Sequence, residues 1–276
     1  MQYTARMSAS RPSPLASPEP WNLVASGYVV ENILSFETFA REALRLVPAQ
    51  GDVLDVAAGP GSLALQAAAT ARSVQAIDFA PQMLDQLRAR AAAANITNVE
   101  ARVADGQALP FPADRFDAAY SMFGLIFFPD PGLGLRELVR VLRPGGRAVV
   151  ASWPPFEKLP TLAAMFAAMK AEMPNSGIGD APTVLGTPDD IRAVFSAAGF
   201  SSVDVQEHSI VAGMAPPEAL WGSFSRGGAP AVLMRKRMGE PAFADLSKRI
   251  VARLEQTLGT EPVAVRLTAL FGIGTR

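Results

Sequence analysis

Three aspartates, each at or just after the end of a short apolar run, are the residues that could bind a charged ligand. A carboxylate at Asp55 suits a ligand that carries an ammonium group, and it would repel a pyrophosphate. Asp78 ends the second run, where its two oxygens can accept hydrogen bonds from both hydroxyls of a ribose. Asp105 follows the third run, where it can accept from an adenine amino group while the N–H groups of Gly106 and Gln107 meet ring nitrogens.

A glycine turn follows Asp55 and opens an alanine-rich helix. Gly59 and Gly61 have no side chains, so the backbone N–H groups of such a turn can approach a ligand. With Ala64 the two glycines also satisfy G-x-G-x-x-A, and Asp78 lies about 20 residues further on, which is the fingerprint of dinucleotide-binding proteins. The turn alone therefore fits two kinds of cofactor, and a nicotinamide-dependent oxidoreductase stays open as an alternative.

Alternating strands and helices must position these residues. Strands are expected at 53–56, 74–77, 99–103, 116–120, 147–152, 201–212 and 263–273. Helices are expected at 21–47, 62–71, 81–94, 131–142, 162–172 and 189–198, and in two or three pieces within 216–258. This alternation predicts an α/β fold, namely a Rossmann-like, doubly wound, seven-stranded and mostly parallel sheet with helical cap insertions.

The chain predicts a flexible leader followed by one domain. The first twenty residues are rich in Ser and Pro, which is typical of flexible tails. We expect residues 1–20 to form this leader and residues 21–276 to form a single domain. The sheet core is expected at about 48–212 and 259–274, with helical cover segments at about 21–47, 154–186 and 213–258.

Composition excludes several classes of function. The 276 residues are 49% hydrophobic and carry a net charge of −1, so the chain can bury a core but has no basic excess for a nucleic-acid backbone. The absence of cysteine and the single histidine exclude disulfides and a Cys/His zinc site, and no metal is expected. No run approaches the roughly 18 apolar residues of a membrane span, and no secretory signal is evident. We expect a cytoplasmic protein, with a homodimer left open.

Four segments occur in a characteristic order: VLDVAAGPGSLAL, AIDFAPQML, VADGQALPFPADRFDAAYS and RELVRVLRPGGRAVVASW. They resemble the motifs of class I S-adenosylmethionine-dependent methyltransferases, in the broad group that includes the ubiquinone/menaquinone-biosynthesis type. The resemblance covers about residues 51–200. Ala57 stands in place of the first glycine of the family pattern. The resemblance implies S-adenosylmethionine as the cofactor, held by Asp55, Ala57, Gly59, Gly61, Asp78, Phe79, Met83, Asp105, Gly106, Gln107, Ser121 and Met122.

The methyl acceptor is expected to bind beside the exit of the fourth strand. Methyl transfer from a sulfonium is an in-line displacement, so the protein mainly aligns the reactants and excludes water. Open α/β sheets bind ligands at this carboxyl edge. An apolar pocket for a small apolar or aromatic acceptor is expected there, although core packing is the alternative role for its aromatic residues. The candidates are Phe123, Phe127, Phe128, Trp153, Trp221 and Phe224.

Two side chains are candidates for a catalytic role. His208 is the residue that ordinarily titrates near neutral pH, although an ordinary strand histidine is the simpler interpretation. Tyr28 lies in a region from which, in the resembled family, a tyrosine can reach the cofactor carboxylate. The sequence thus predicts methyl transfer to a small molecule. The alternatives are an NAD(P)-dependent oxidoreductase and a cofactor-binding protein without catalysis.

Overall fold

The computed structural model describes residues 13–174 and 185–276, and a seven-stranded sheet forms its centre. The strands are β1 (Asp52–Val56), β2 (Ser73–Asp78), β3 (Val99–Val103), β4 (Phe116–Met122), β5 (Leu142–Ser152), β6 (Ser202–Ala215) and β7 (Val263–Thr275). Their order is β3-β2-β1-β4-β5-β7-β6. The first five pair in parallel, and β7 runs antiparallel to both β5 and β6. The predicted α/β fold with a mostly parallel seven-stranded sheet is confirmed.

Helices cover both faces of this sheet, as parallel strands require. They are α1 (Pro18–Leu46), α2 (Ala64–Ala67), α3 (Pro81–Ala93), α4 (Pro131–Val141), α5 (Pro160–Glu172), α6 (Pro188–Ala198), α7 (Pro217–Gly227), α8 (Ala229–Met238) and α9 (Glu240–Leu258). Phe39 of α1 and Leu84 of α3 are buried on one face, and Leu135 of α4 and Phe195 of α6 on the other. Among the described residues, no helix combines the length and the apolar character needed to cross a bilayer.

Several boundaries differ from the expectation. α1 begins at Pro18, so residues 18–20 of the predicted leader are helical, while residues 1–12 lie outside the described part of the chain. The helix expected at 62–71 is α-helical only in α2, because the backbone bonds at both ends close after three residues, such as Ala69 N to Gln66 O. β6 continues to Ala215, beyond the predicted 212. Residues 175–184 of the predicted 154–186 cover are also outside the described ranges.

α1 links the cap to the sheet. A proline at its first position needs no N–H partner, and Pro48 follows its end. The buried side of the helix carries small and aromatic residues, among them Val24, Phe39 and Ala43. At its carboxyl end, the Tyr120 hydroxyl donates to the Val47 carbonyl at 2.6 Å. The helix is therefore anchored to the sheet at one end and lies over the carboxyl edge with the other.

β6 and β7 extend beyond the carboxyl edge of their neighbours. Ser152, the last residue of β5, pairs with Leu270, which pairs with Glu207. Residues 208–215 and 263–269 therefore form a two-stranded arm about 25 Å long. α7, α8 and α9 connect the two strands at its tip, and α9 packs on α5. This cap has its own core, made of Met165, Ala168, Met169, Trp221, Phe243, Leu246, Ile250 and Leu254.

A carboxylate at the opposite, amino edge of the sheet holds the start of β1. Asp117 Oδ2 accepts from the backbone N–H of Asp52 at 2.7 Å, and Asp117 Oδ1 pairs with Arg143 at 2.5 Å. The N–H group is reachable because Gly51 has no side chain: a Cβ there would lie 2.1 Å from Asp117 Oδ2. Gly51 also has a positive φ of 68°. The contact therefore depends on glycine for both steric and conformational reasons.

We expect Gly51→Ala to destabilise the protein by more than about 2 kcal/mol, since it combines a strained φ with a clash against Asp117. Gly145→Ala is the matched control, because Gly145 has a φ of 78° but nothing within 4 Å of a new Cβ. Its free energy of unfolding should fall by only about 1 kcal/mol, the cost of placing alanine at a positive φ. Urea unfolding of both variants measures the difference. Equal losses would show that Asp117 moves aside freely.

Candidate functional site

A small cavity lies at the carboxyl end of β1, beneath α1. Its volume is about 30 Å³, enough for about two water molecules. The lining residues are Tyr28, Phe36, Asp55, Ala57, Ala58, Gly59, Pro60, Ser62, Leu63 and Met122. The cavity occupies the edge at which open α/β sheets bind ligands. Four of the residues expected to hold a cofactor, together with Tyr28, therefore surround one space that α1 nearly closes.

Asp55 brings an incompletely paired carboxylate to this cavity. Its side chain is 1% exposed, and Oδ2 accepts from the backbone N–H of Ala64 at 3.0 Å. Oδ1 is buried and has no hydrogen-bond partner among the described residues. Burial, aided by the neighbouring charge of Asp78, raises the pKa of Asp55 to about 8. A buried carboxylate oxygen without a donor is costly, so this group is suited to a cationic ligand.

Asp78 holds the glycine turn in place. Its Oδ2 accepts from the N–H of Gly59 at 2.8 Å, and its Oδ1 accepts from the N–H of Ala80 at 2.9 Å. Burial raises the pKa of Asp78 to about 6, against the effect of these bonds. The N–H of Gly61 donates to the Ala58 carbonyl at 3.0 Å. The N–H groups of Gly59 and Gly61 therefore donate to acceptors within the chain, and a role of this turn in holding a ligand stays a prediction.

Ala57 occupies a backbone conformation that favours glycine. Its φ is +56°, in the left-handed region. The methyl group fits because Gly124, after β4, has no side chain: a Cβ on Gly124 would lie 2.3 Å from that of Ala57. The glycine missing from the motif at position 57 is thus matched by a glycine across the sheet edge. The two positions form one steric unit.

Aromatic rings fill the space between α1 and the exits of β4 and β5. Tyr28 stacks on Phe36 with centroids 5.2 Å apart, and Phe36 meets Phe123 edge to face at 5.2 Å. Phe123 stacks on Trp153 at 4.1 Å. Phe39 contacts both Phe123 and Trp153 from the sheet side. Two of the six predicted acceptor residues, Phe123 and Trp153, are therefore in direct contact beside the cavity.

The turn after β3 is built around internal contacts. Asp105 Oδ1 accepts from the N–H of Gln107 at 2.8 Å, and Gln107 Oε1 accepts from the N–H of Asp130 at 3.0 Å. A Cβ on Gly106 would lie 2.4 Å from the ring of Phe128, which packs beneath the turn. Asp105 is exposed, whereas the Gln107 side chain is committed to the next loop. Phe128 is a core residue here and does not line the cavity.

Three comparisons with known proteins bear on this arrangement. A family model described as "Methyltransferase domain" matches residues 53–146. A ubiquinone/menaquinone biosynthesis C-methyltransferase, UbiE, from Geotalea daltonii is 30% identical over 199 residues, covering 66% of this chain and 82% of the relative. The chain belongs to the S-adenosylmethionine-dependent methyltransferase family. This confirms the resemblance seen in the four motifs.

Other similarities of this chain are more local or more distant. The uncharacterized protein Rv1405c of Mycobacterium tuberculosis is 46% identical over 101 residues, which is 37% of this chain and 36% of that protein. The chain thus aligns with little more than a third of the length of the mycobacterial relatives it matches. The structure of the [4+2]-cyclase SpnF has a TM-score of 0.60 at 16% identity and covers 96% of this chain and 97% of its own. That likeness concerns the fold alone.

The remaining residues that were predicted to bind the cofactor or the acceptor divide into two groups. Ser121 is fully buried and its hydroxyl has no partner among the described residues, next to the cavity residue Met122. Met83 is 2% exposed and packs in a cluster with residues of α1. Phe79 is partly buried and packs against the same cluster. Phe127 packs edge to face on Trp21 at 4.8 Å. Ser121 and Met122 thus form the group next to the cavity. Phe79, Met83 and Phe127 form the other group, which packs against α1.

Two candidates lie away from the cavity. Trp221 is 3% exposed within the cap core, where it stacks on Phe243 and lies near Phe224. Its indole N–H has no acceptor among the described residues. His208 Nδ1 lies 3.9 Å from Glu42 Oε1 on the sheet side of α1. His208 is not among the cavity residues, because the arm of β6 turns it toward α1.

Phe36 lines the cavity but was not predicted as a site residue, because none of the four motifs contains it. Tyr28 and Phe36 are eight residues apart, a little over two helical turns, and that spacing places them on neighbouring parts of one side of α1.

Within residues 13–174 and 185–276, no group of three His, Asp or Glu residues could hold a metal ion.

The steric pair of Ala57 and Gly124 yields a test. Gly124 has right-handed helical angles, so Gly124→Ala is strained only by its contact with Ala57. We expect it to cost about 2–3 kcal/mol of stability, as overpacking does. The double variant with Ala57→Gly should recover most of this loss. A double-mutant cycle by urea unfolding measures the coupling, and additive effects would contradict the pairing.

Burial of Asp55 predicts a pH-dependent stability. Its pKa rises from 3.8 to about 8 on folding, so the folded state holds an extra proton between these values. Stability therefore falls as pH rises through this window, by on the order of 1 kcal/mol per pH unit.

Asp55→Asn should become more stable relative to wild type from pH 5 to pH 8, measured by thermal unfolding without cofactor. For Asp78→Asn the gain should level off above about pH 6, the pKa of Asp78. A pH-independent difference would mean that Asp55 ionises normally.

Proposed function

We propose that this protein transfers the methyl group of S-adenosylmethionine to a small, apolar or aromatic acceptor. The observation that carries the proposal is that Asp55 lines the cavity and that its buried Oδ1 has no donor among the described residues. An ammonium group supplies the missing donor and a compensating charge. The amino-acid part of S-adenosylmethionine carries such a group.

The glycine turn supports the same cofactor over a dinucleotide. A pyrophosphate needs free backbone N–H groups at the turn. Those of Gly59, Gly61 and Ala64 donate to acceptors within the chain. The negative charge of Asp78 would also repel a doubly charged phosphate bridge. The dinucleotide fingerprint in the spacing of the turn is therefore not matched by its hydrogen bonding.

The chain offers a partner for each part of the cofactor. Asp55 would take the ammonium group, and Asp78 would accept from the ribose hydroxyls with its remaining lone pairs. Asp105 is exposed after β3 and would accept from the adenine amino group. The bound cofactor supplies a methyl carbon activated by a positively charged sulfur. The adenine would be bordered by Phe79, Met83, Gly106 and Gln107. The remaining parts of the cofactor would be bordered by Ala57, Gly59, Gly61, Ser121 and Met122.

The surroundings of the cavity favour an apolar acceptor. Phe36, Phe123 and Trp153 form a continuous aromatic wall beside it. Such a wall excludes water and holds a flat or apolar molecule. In-line displacement needs the acceptor atom opposite the sulfur, so the acceptor would enter between this wall and the cap, with Phe127 in the outer part of its path. The nearly closed cavity requires α1 to move outward first.

The lining offers a hydrogen-bond donor but a poor base. Burial, with the nearby charge of Asp78, raises the pKa of the Tyr28 hydroxyl far above its usual range. Tyr28 therefore stays protonated at neutral pH and would donate to the cofactor carboxylate. His208, beside Glu42, is the alternative base. An acceptor that needs no proton removed by the protein suits this site best.

Calorimetry and a labelled methyl donor test the proposal. S-adenosylmethionine and S-adenosylhomocysteine should bind, and NADH should not. Methyl-labelled cofactor should then pass its label to a member of a panel of quinones, phenols and other small aromatic molecules. Tight NADH binding without a response to S-adenosylhomocysteine would support the oxidoreductase instead. Cofactor binding with no labelled product across the panel would favour a binding protein, or chemistry other than methyl transfer.

Asp55→Asn gives a sharper test with a matched ligand. We expect it to weaken S-adenosylhomocysteine binding by about 10- to 100-fold, because one charge-assisted bond of roughly 1.5–3 kcal/mol is lost. Methylthioadenosine has no ammonium group, so its affinity should change little. Asp78→Asn should weaken both ligands, since both carry the ribose. Calorimetry of each of the two variants with each of the two ligands measures this pattern. Equal effects of Asp55→Asn on both ligands would refute the assignment of Asp55 to the ammonium group.

A further inference from the structure

The outer side of α1 carries an apolar stripe that nothing in the described structure covers. Leu23, Val30 and Leu34 are 38%, 79% and 76% exposed. Their spacings of seven and four residues align them along one side of the helix over about 17 Å. We call these three residues the α1 stripe. Single exposed apolar side chains are ordinary, but three in line form a patch that calls for a partner.

Cationic side chains lie at both ends of the α1 stripe. Lys236 Nζ is 2.7 Å from Glu19 Oε1, one helical turn before Leu23, and Arg237 follows it in the chain. Arg41 is seven residues beyond Leu34 on the same side and donates to the Thr38 hydroxyl. Neither Arg41 nor Arg237 has an ion-pair partner among the described residues. The patch is thus apolar in the middle and positive at its ends.

We propose that the α1 stripe docks this protein on an anionic lipid surface. An apolar helix side enters the boundary between headgroups and acyl chains, and flanking lysines and arginines meet the negative headgroups. The stripe has both features in the required order. Its three side chains are too few for firm anchoring, so the contact is weak, reversible and dependent on the lipid charge.

Charge complementarity disfavours a second copy of this chain as the occupant. Pairing two stripes in antiparallel order places Lys236 and Arg237 of one copy beside Arg41 of the other. Parallel order places like ends together, so both arrangements bring cations into contact. The acidic residues nearest the stripe, Glu19 and Glu37, are already paired within the chain, Glu37 with Arg90 at 2.5 Å. A negatively charged surface would instead pair with Arg41 and Arg237, which have no ion-pair partner among the described residues.

Docking would place the cofactor cavity beside the lipid. Tyr28 and Phe36, on another side of the same helix, line that cavity. An apolar acceptor dissolved in the bilayer would then need to cross only the width of α1. The docking itself needs no cofactor and no methyl transfer, so its test is independent of the proposed function.

Co-sedimentation of the full chain with vesicles tests the inference. We expect binding to vesicles of phosphatidylcholine mixed with phosphatidylglycerol, and weaker binding to pure phosphatidylcholine or at high salt. Val30→Gln/Leu34→Gln should reduce the partition coefficient on the order of tenfold. Arg41→Gln/Arg237→Gln should remove most of the preference for anionic vesicles. Leu133→Gln is the matched control, an exposed leucine of α4 on the opposite face of the sheet, and it should bind like wild type.

Three results would overturn the inference. The first is wild-type protein that stays in the supernatant with both kinds of vesicle. The second is a Val30→Gln/Leu34→Gln variant that binds like wild type. The third is a dimer in analytical ultracentrifugation that the same variant dissociates, which would assign the stripe to a second copy. Circular dichroism of each variant confirms that these exposed substitutions leave the fold intact.

Discussion

The hydrogen bonds of the Asp78 carboxylate are the contacts on which the carboxyl edge of the sheet around the cavity depends. They join the turn after β1, through Gly59, to the start of α3, through Ala80. Because the turn is fixed in this way, Ala57 is held at a positive φ against Gly124. That contact in turn sets the path of the chain leaving β4. One side chain therefore couples three neighbouring strand ends around the cavity.

The same region departs from the usual rules of a stable interior. Buried carboxylates ordinarily have full sets of donors, yet Oδ1 of Asp55 has none among the described residues, and Asp55 lies near a second buried acid. Such a pair is unfavourable when both acids are ionised. On the proposed function, the positively charged group of the cofactor would remove that cost. Sites that bind ligands commonly retain unfavourable groups of this kind.

The sequence predicts the sheet and the acidic residues at its edge well, because both follow from local patterns. Strand periodicity and the spacing from Asp55 to Asp78 are visible along a single stretch of chain. Trp221 is different: whether it faces the cavity depends on how α7 packs against α9, and no local pattern encodes this. Phe36 was missed for the same reason. The exposure of Val30 and Leu34 could not be predicted either, since it depends on neighbours distant in sequence.

The cap helices α7, α8 and α9 occupy one connection, between β6 and β7, and rest on the far end of their projecting arm. The strand order places this connection at the opposite side of the sheet from β2 and β3. On the proposed function, the residues that would hold the nucleoside and the helices that would cover the acceptor lie in separate stretches of the chain. Replacement of residues 216–262 would then change the cover over the acceptor and leave Asp55, Asp78 and Asp105 in place.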